Sequence, residues 1–197
     1  MKRILKWVRE LFSRSAPAVE DSRERAIEAF WLLNDFIGDL ICGTRAFEYF
    51  DTPKFKASAT PEVLRCYNKM ADSFVFVTLA KWIEFYDRYR VVIPSDQRAT
   101  CKQLRNELEK RGVRKFRNEI VGHIWSRDHR RPLLISEIAE FDKKITQGDA
   151  EKFLKWINDP NNNGFGKTIV GTSEVVRDKI QKKWSLSKQE LRESSSQ

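Results

Sequence analysis

Arg117, Asn118 and His123 are the residues of this chain whose types and spacing best suit chemistry. His123 is one of two histidines, and a basic run from Lys110 to Arg117 leads into it. An imidazole with an ordinary pKa of about 6.5 serves as acid or base at neutral pH. The arginine offers a planar, permanently charged fork for the non-bridging oxygens of a phosphate. Asn118 suits either holding such an oxygen or fixing the imidazole. RNA carries its own nucleophile, the 2′-hydroxyl, so a protein need add only a base, an acid and stabilisation of the phosphorane charge. Arg114, Lys115, Arg127 and Arg130 surround the motif, with Lys110, Arg111 and Arg131, and are candidates to track an RNA backbone. Taken singly, each is better explained as part of a solvated face.

Other chemistries fit less well. His123 and His129 lie six residues apart and do not share a helix face, and the cysteines are distant from both. A metal-independent reaction without a cofactor is therefore expected. Asn163-Gly164-Phe165-Gly166-Lys167-Thr168 ends like a phosphate loop, but Asn161 stands where that motif needs its first glycine, and no buried strand precedes it. A glycine turn with Thr168 capping a helix is the better reading.

Helical periodicity runs through most of the chain. A first long helix is expected from Asp21 or Ser22 to about Phe50, with Ala26, Phe30, Leu33, Ile37, Leu40 and Ile41 on its apolar stripe. Thr60-Pro61-Glu62 is a strong start for a second, which stops before Pro94. Within it Phe74-Val75-Phe76-Val77 alone resembles a strand, but its flanks keep helical spacing. A third helix starts near Ser95, breaks or kinks at Gly112, and continues through the motif to about Trp125-Ser126. A fourth follows Pro132, with Ser136 as a candidate cap. A short extension after Gly148-Asp149 carries Phe153, Trp156 and Ile157, and a last helix spans Thr168 to Trp184. There is no alternating strand pattern, so the class is all-α: residues 1–20 an amphipathic helix and linker, 21–183 a bundle of four to five helices, 184–197 a disordered polar tail.

On an ideal helix Arg117 and His123 stand about 120° apart with a rise of about 9 Å. They flank the Phe116-Ile120-Ile124 stripe on opposite sides, which suits two copies of the helix meeting at one groove. Gly122 inside the helix points to close backbone approach there. The Arg117-Asn118 pair followed by His123 resembles the Rx4-6H motif of the HEPN superfamily. That resemblance implies an all-helical bundle, a homodimer with Gly122 at the contact, a composite site of Arg117, Asn118 and His123, and an endoribonuclease acting as a toxin or in defence against phage. A non-catalytic HEPN-like module that binds RNA, nucleotide or a partner protein is the alternative.

The formal charge of +9 favours an anionic partner, nucleic acid or a membrane surface, over an acidic protein. Cys42, Cys66 and Cys101 are scattered and read as buried thiols in a reducing compartment. No apolar run reaches the ~20 residues needed to span a bilayer, and no secretory signal is present, so a cytoplasmic protein is expected. Residues 1–14 place Ile4, Leu5, Trp7, Val8, Leu11 and Phe12 on one arc of about 160°, with five basic residues on the rest. That suits peripheral membrane contact or a silencing or activating protein partner. Its length of about four turns favours packing on its own bundle instead.

Overall fold

A computed structural model describes residues 19–121, 125–126, 131–132 and 134–194. Val19–Phe50 forms one helix, α1. Its inward positions Ala26, Ala29, Leu33, Phe36, Ile37 and Leu40 are buried, with Phe30, Trp31 and Ile41 packed beside them. A short helix, α2 (Pro53–Ser58), is capped by Thr52, whose hydroxyl accepts from the Phe55 N–H. The expected second helix is a continuous rod of three parts: α3 (Pro61–Asp72), a π-helical turn (Ser73–Val77) and α4 (Thr78–Tyr89). Proline at the first position of α3 fits because a first-turn N–H has no helical partner to lose. The strand-like Phe74–Val77 stretch thus stays helical, with a wider turn. Gly43 on α1 permits that width, because a β-carbon there would stand 2.7 Å from Val75 Cγ2 and 3.2 Å from Phe74 Cβ.

Helix α5 (Ser95–Lys110) ends at Gly112, whose φ of +82° is left-handed and ordinary only for glycine. A four-residue turn, α6 (Val113–Phe116), runs directly into a second π-helical turn, Arg117–Val121. Here the expectation of a regular helix to Ser126 fails. Trp125–Ser126 (β1) instead pairs antiparallel with Arg131–Pro132 (β2). This two-residue ladder is the only β-structure among the described residues, and the fold is all-α. Helix α7 is Ile135–Thr146, so Ser136 lies inside it and does not cap it. Glu137 takes that part, accepting from the Leu134 N–H at 2.7 Å and from two Arg131 nitrogens at 2.9 Å each.

Helix α8 (Ala150–Ile157) is capped by Asp149, and Phe153 and Ile157 are buried. The Asn163–Thr168 loop is a capping turn. Thr168 accepts the Gly171 N–H at 3.0 Å at the start of α9 (Ile169–Lys183), and Asn163 Oδ1 accepts from the same N–H at 3.1 Å. Helix α9 makes the most extensive contact with α1. Between α4 and α9 the buried Trp82 indole donates to Ser173 Oγ at 2.9 Å.

The tail expected to be disordered from residue 184 carries another helix, α10 (Lys188–Ser194). Ser187 accepts the Glu190 N–H at 3.2 Å while Glu190 accepts the Ser187 N–H at 2.9 Å, a reciprocal cap. Leu186 and Leu191 are buried, and Arg23 of α1 pairs with Glu190 at 2.6 Å. The Arg23 and Ser187 donors hold the Glu190 carboxyl down at about 2. No helix among the described residues is long and apolar enough to cross a membrane. The amphipathic stretch 1–14 lies outside the described residues.

Two close approaches give a stability test. A β-carbon at Gly171 would stand 2.7 Å from Gly164 N and 2.9 Å from Gly164 O, while one at Gly38 would meet nothing within 4 Å. Gly171→Ala is therefore expected to destabilise by about 1–3 kcal/mol, whereas Gly38→Ala should stabilise by up to about 1 kcal/mol. Thermal unfolding followed by circular dichroism reads both signs.

The cysteines differ from expectation. Only Cys101 is buried, which pushes its thiol up to about 12, while Cys42 and Cys66 are exposed. The reason is local: both lie on the outer sides of α1 and α3. A maleimide at neutral pH is expected to label Cys42 and Cys66 in the native protein and Cys101 only after denaturation. Mass spectrometry counts the adducts.

Candidate functional site

The second π-helical turn carries the first two residues of the motif. Arg117 is its first residue and Asn118 its second, both half-buried. Turns of this width are rare and interrupt the regular i→i+4 bonding, which is why they recur at functional positions. Phe116, the residue before the turn, holds it against the core, with its ring 4.6 Å from Phe76 of the first π-helical turn and 6.4 Å from Phe141 of α7. His123, Gly122, Arg127 and Arg130 lie outside the described residues.

Arg117 forms an ion pair with Glu84 of α4, and each side chain is about one-third exposed. Glu84 is the member of this site that sequence spacing misses, since it lies 33 residues upstream. Its signal is weak but present: it is a half-exposed acid between the buried pairs Trp82-Ile83 and Phe85-Tyr86.

Arg114 turns to the same helix one turn further along. Its Nη2 lies 2.8 Å from Asp87 Oδ2 and 2.9 Å from Glu109 Oε1, while its buried Nε has no hydrogen-bond partner. Arg105 completes the network, 3.1 Å from Asp87 and 3.5 Å from Glu109. Burial works to raise the Asp87 carboxyl, but hydrogen bonds from Arg105 and Arg114 outweigh it and hold the group below the usual carboxylate range. The Asp87 hydrogen bond in turn raises Arg105.

Lys115 faces away from α4. Its Nζ lies 3.7 Å from the buried Glu119 carboxylate and 5.6 Å from the centre of the Phe141 ring. Arg111 packs inward: its guanidinium sits 4.4 Å from the Trp156 ring centre, donates to Ile145 O at 2.8 Å and pairs with Glu107. The π-helical turn thus carries Arg117 and Asn118, Lys115 precedes it on the side of Glu119 and Phe141, and Arg111, Arg114 and Arg131, like Arg117, are engaged by carboxylates of the chain. The basic run read from the sequence is not a row of free cations.

A separate small cleft of about 190 Å³ lies between α5, α8 and the start of α9, with Gln103, Glu107, Trp156 and Lys167 in its wall. It includes neither Arg117 nor Asn118.

Comparison with known proteins bears on the fold. No family model matches the chain, and no curated protein matches it significantly. Among solved structures it is similar to the integron cassette protein Vpc_cass2 from the mobile metagenome of V. paracholerae. The TM-score is 0.64 at 21% identity, over 80% of this chain and 96% of that one. The two share a fold. At that identity the likeness extends no further.

The Arg117–Glu84 pair is a third exposed, so its contribution to stability is small, on the order of 0–1 kcal/mol. Glu84→Gln is therefore expected to leave thermal stability nearly unchanged while releasing Arg117. Binding of labelled single-stranded RNA, titrated against salt by fluorescence anisotropy, should tighten in Glu84→Gln and weaken in Arg117→Ala. One phosphate contact changes the log–log salt slope by about 0.7. Identical curves for both variants and wild type would show that Arg117 does not meet the polyanion.

Proposed function

We propose that this protein is an endoribonuclease of HEPN type that cleaves RNA without a metal, by attack of the 2′-hydroxyl on the adjacent phosphorus. The observation that carries the reading is the placement of Arg117 and Asn118 on an irregular, partly exposed turn of an all-α bundle, where the pattern leading to His123 resembles that family's motif. In this reaction the 2′-oxygen loses its proton to a base and bonds to phosphorus. The 5′-oxygen of the next nucleotide leaves and takes a proton from an acid, giving a 2′,3′-cyclic phosphate and a 5′-hydroxyl. His123 is the residue suited to move these protons, and two copies of it across a homodimer could divide the roles. Arg117 suits the charge that builds on the non-bridging oxygens. Glu84 holds its guanidinium in place until a phosphate competes for it. A cytoplasmic toxin or anti-phage effector follows from the family resemblance, and such an enzyme needs a silencing or activating partner, for which residues 1–14 are the candidate docking element.

A second reading is favoured by a specific observation: both Arg117 and Arg114 are held by carboxylates. A module that binds RNA or a protein without catalysis would keep such pairs permanently. One assay separates the readings: cleavage of RNA in EDTA by wild type, Arg117→Ala and His123→Ala, each shown to be folded by circular dichroism. The nuclease reading expects cyclic phosphate ends and a rate lowered by about 10²–10⁴ in His123→Ala. Salt-dependent binding without cleavage points to the second reading, and cleavage unchanged in both variants sinks the assigned site.

A further inference from the structure

In the cleft between α5, α8 and the start of α9, the chain satisfies the polar groups of the floor and leaves capacity on those of the walls. Leu104, Thr168 and Thr172 are the buried floor. Thr168 donates to Asn163 Oδ1, while Thr172 donates to Thr168 O at 2.6 Å and accepts the Gly166 N–H at 3.1 Å. On the walls, Glu107 Oε1 accepts from Arg111 at 2.8 Å and from Gln147 at 3.4 Å, but Oε2 has no donor among the described residues. Lys167 donates to Asn162 Oδ1 at 2.9 Å and has no carboxylate partner among them. The exposed Gln103 amide has no hydrogen-bond partner among them either. Glu107 and Lys167 thus border one cleft with opposite charges and do not pair with each other.

The half-buried Trp156 adds an aromatic wall. The Arg111 guanidinium sits 4.4 Å from its ring centre, and the same group donates to Glu107 and to Ile145 O. Only 13% of the Arg111 side chain is exposed. One buried cation therefore fixes the carboxylate and the ring together, before a ligand arrives.

We infer that this cleft binds a guanine nucleotide. Its volume of about 190 Å³ is below the roughly 300–1,000 Å³ of pockets for drug-sized ligands, so it takes one ring system and leaves the rest in solvent. A flat base suits the Trp156 wall, since aromatic side chains stack on unpaired bases. Guanine presents N1–H and its 2-amino group side by side, the paired donors that a fixed carboxylate accepts, and its O6 suits the Gln103 amide N–H. Adenine and cytosine offer that carboxylate a single amino group. A zwitterionic amino acid would match the two charges but would leave the neutral amide and the flat wall unused. Lys167 supplies the cation for the phosphate. The same chemistry serves a free mononucleotide or a guanine in single-stranded RNA, and it does not depend on nuclease activity.

Titration calorimetry of the full chain with GMP, IMP and AMP tests it. GMP is expected to bind, and IMP, which lacks only the 2-amino group, about 10-fold more weakly. Glu107→Gln, with an unchanged circular dichroism spectrum, should weaken GMP and bring it level with IMP. Lys167→Ala, at an exposed position, should weaken GMP several-fold and leave guanosine unaffected. A 2′-O-methylated adenylate hexamer carrying one guanylate separates the two sources. Binding tighter than that of both GMP and the all-adenylate hexamer places the guanine in RNA, and GMP bound as tightly or more tightly makes it a free nucleotide. No binding of GMP at millimolar concentration overturns the inference. So does AMP bound as tightly as GMP, or a GMP affinity unchanged in Glu107→Gln.

Discussion

The packing of Phe76 is the contact on which the placement of the motif depends. Its ring lies between Phe116 at 4.6 Å and Phe153 at 6.0 Å, joining the rod of α3 and α4 to the motif turn and to α8. For Phe76 to point there, the rod must widen at Ser73–Val77, and the wide turn must lie against α1. Gly43 makes that possible by having no β-carbon to strike Val75. A π-helical turn alone is a weak element, since it gives up well-aligned hydrogen bonds. Here burial of three aromatic rings offsets that loss. The consequence is positional. Once Phe116 is fixed against Phe76, the next residue, Arg117, is carried to α4 within reach of Glu84.

The electrostatics follow from the same placement. Helix α4 presents Glu84 and Asp87 to the motif side, one turn apart, and these take Arg117 and Arg114 in order. The two pairs are not equivalent. Arg114 belongs to a network of two arginines and two carboxylates in which each group has at least two partners, and its Nε is buried. Removing one member would leave the others uncompensated, so this network is structural. Arg117 has one carboxylate partner among the described residues and opens the π-helical turn, with about a third of its side chain exposed. Proximity in sequence made both arginines look alike, but Arg114 is held by two carboxylates and Arg117 by one among the described residues.

Much of the fold was legible because it rests on local signals. Thr60-Pro61, Gly112, Asp149 and Thr168 mark helix ends by capping chemistry or backbone freedom, and each lies at an observed boundary. What could not be read depends on pairs distant in sequence. Nothing local in Gly43 announces the π-helical turn opposite it, and nothing in Arg117 announces Glu84. The C-terminal segment is a different case. Ser187-Lys-Gln-Glu190 is a capping-box pattern with Leu186 and Leu191 around it, so the signal for α10 was present. Polar composition outweighed it, although two leucines and one arginine partner suffice to fold the segment onto α1.

The rod from Pro61 to Tyr89 also explains how one helix can serve two surfaces. Before the π-helical turn its outward positions are Val63, Tyr67 and Met70, within the turn Phe74, and after it Lys81, Glu84 and Arg88. The outward face changes from apolar to charged within about two turns. The two halves meet at the π-helical turn, so the widening that seats Phe76 against Phe116 also sets the apolar row and the Glu84–Arg117 edge at fixed places along one rod.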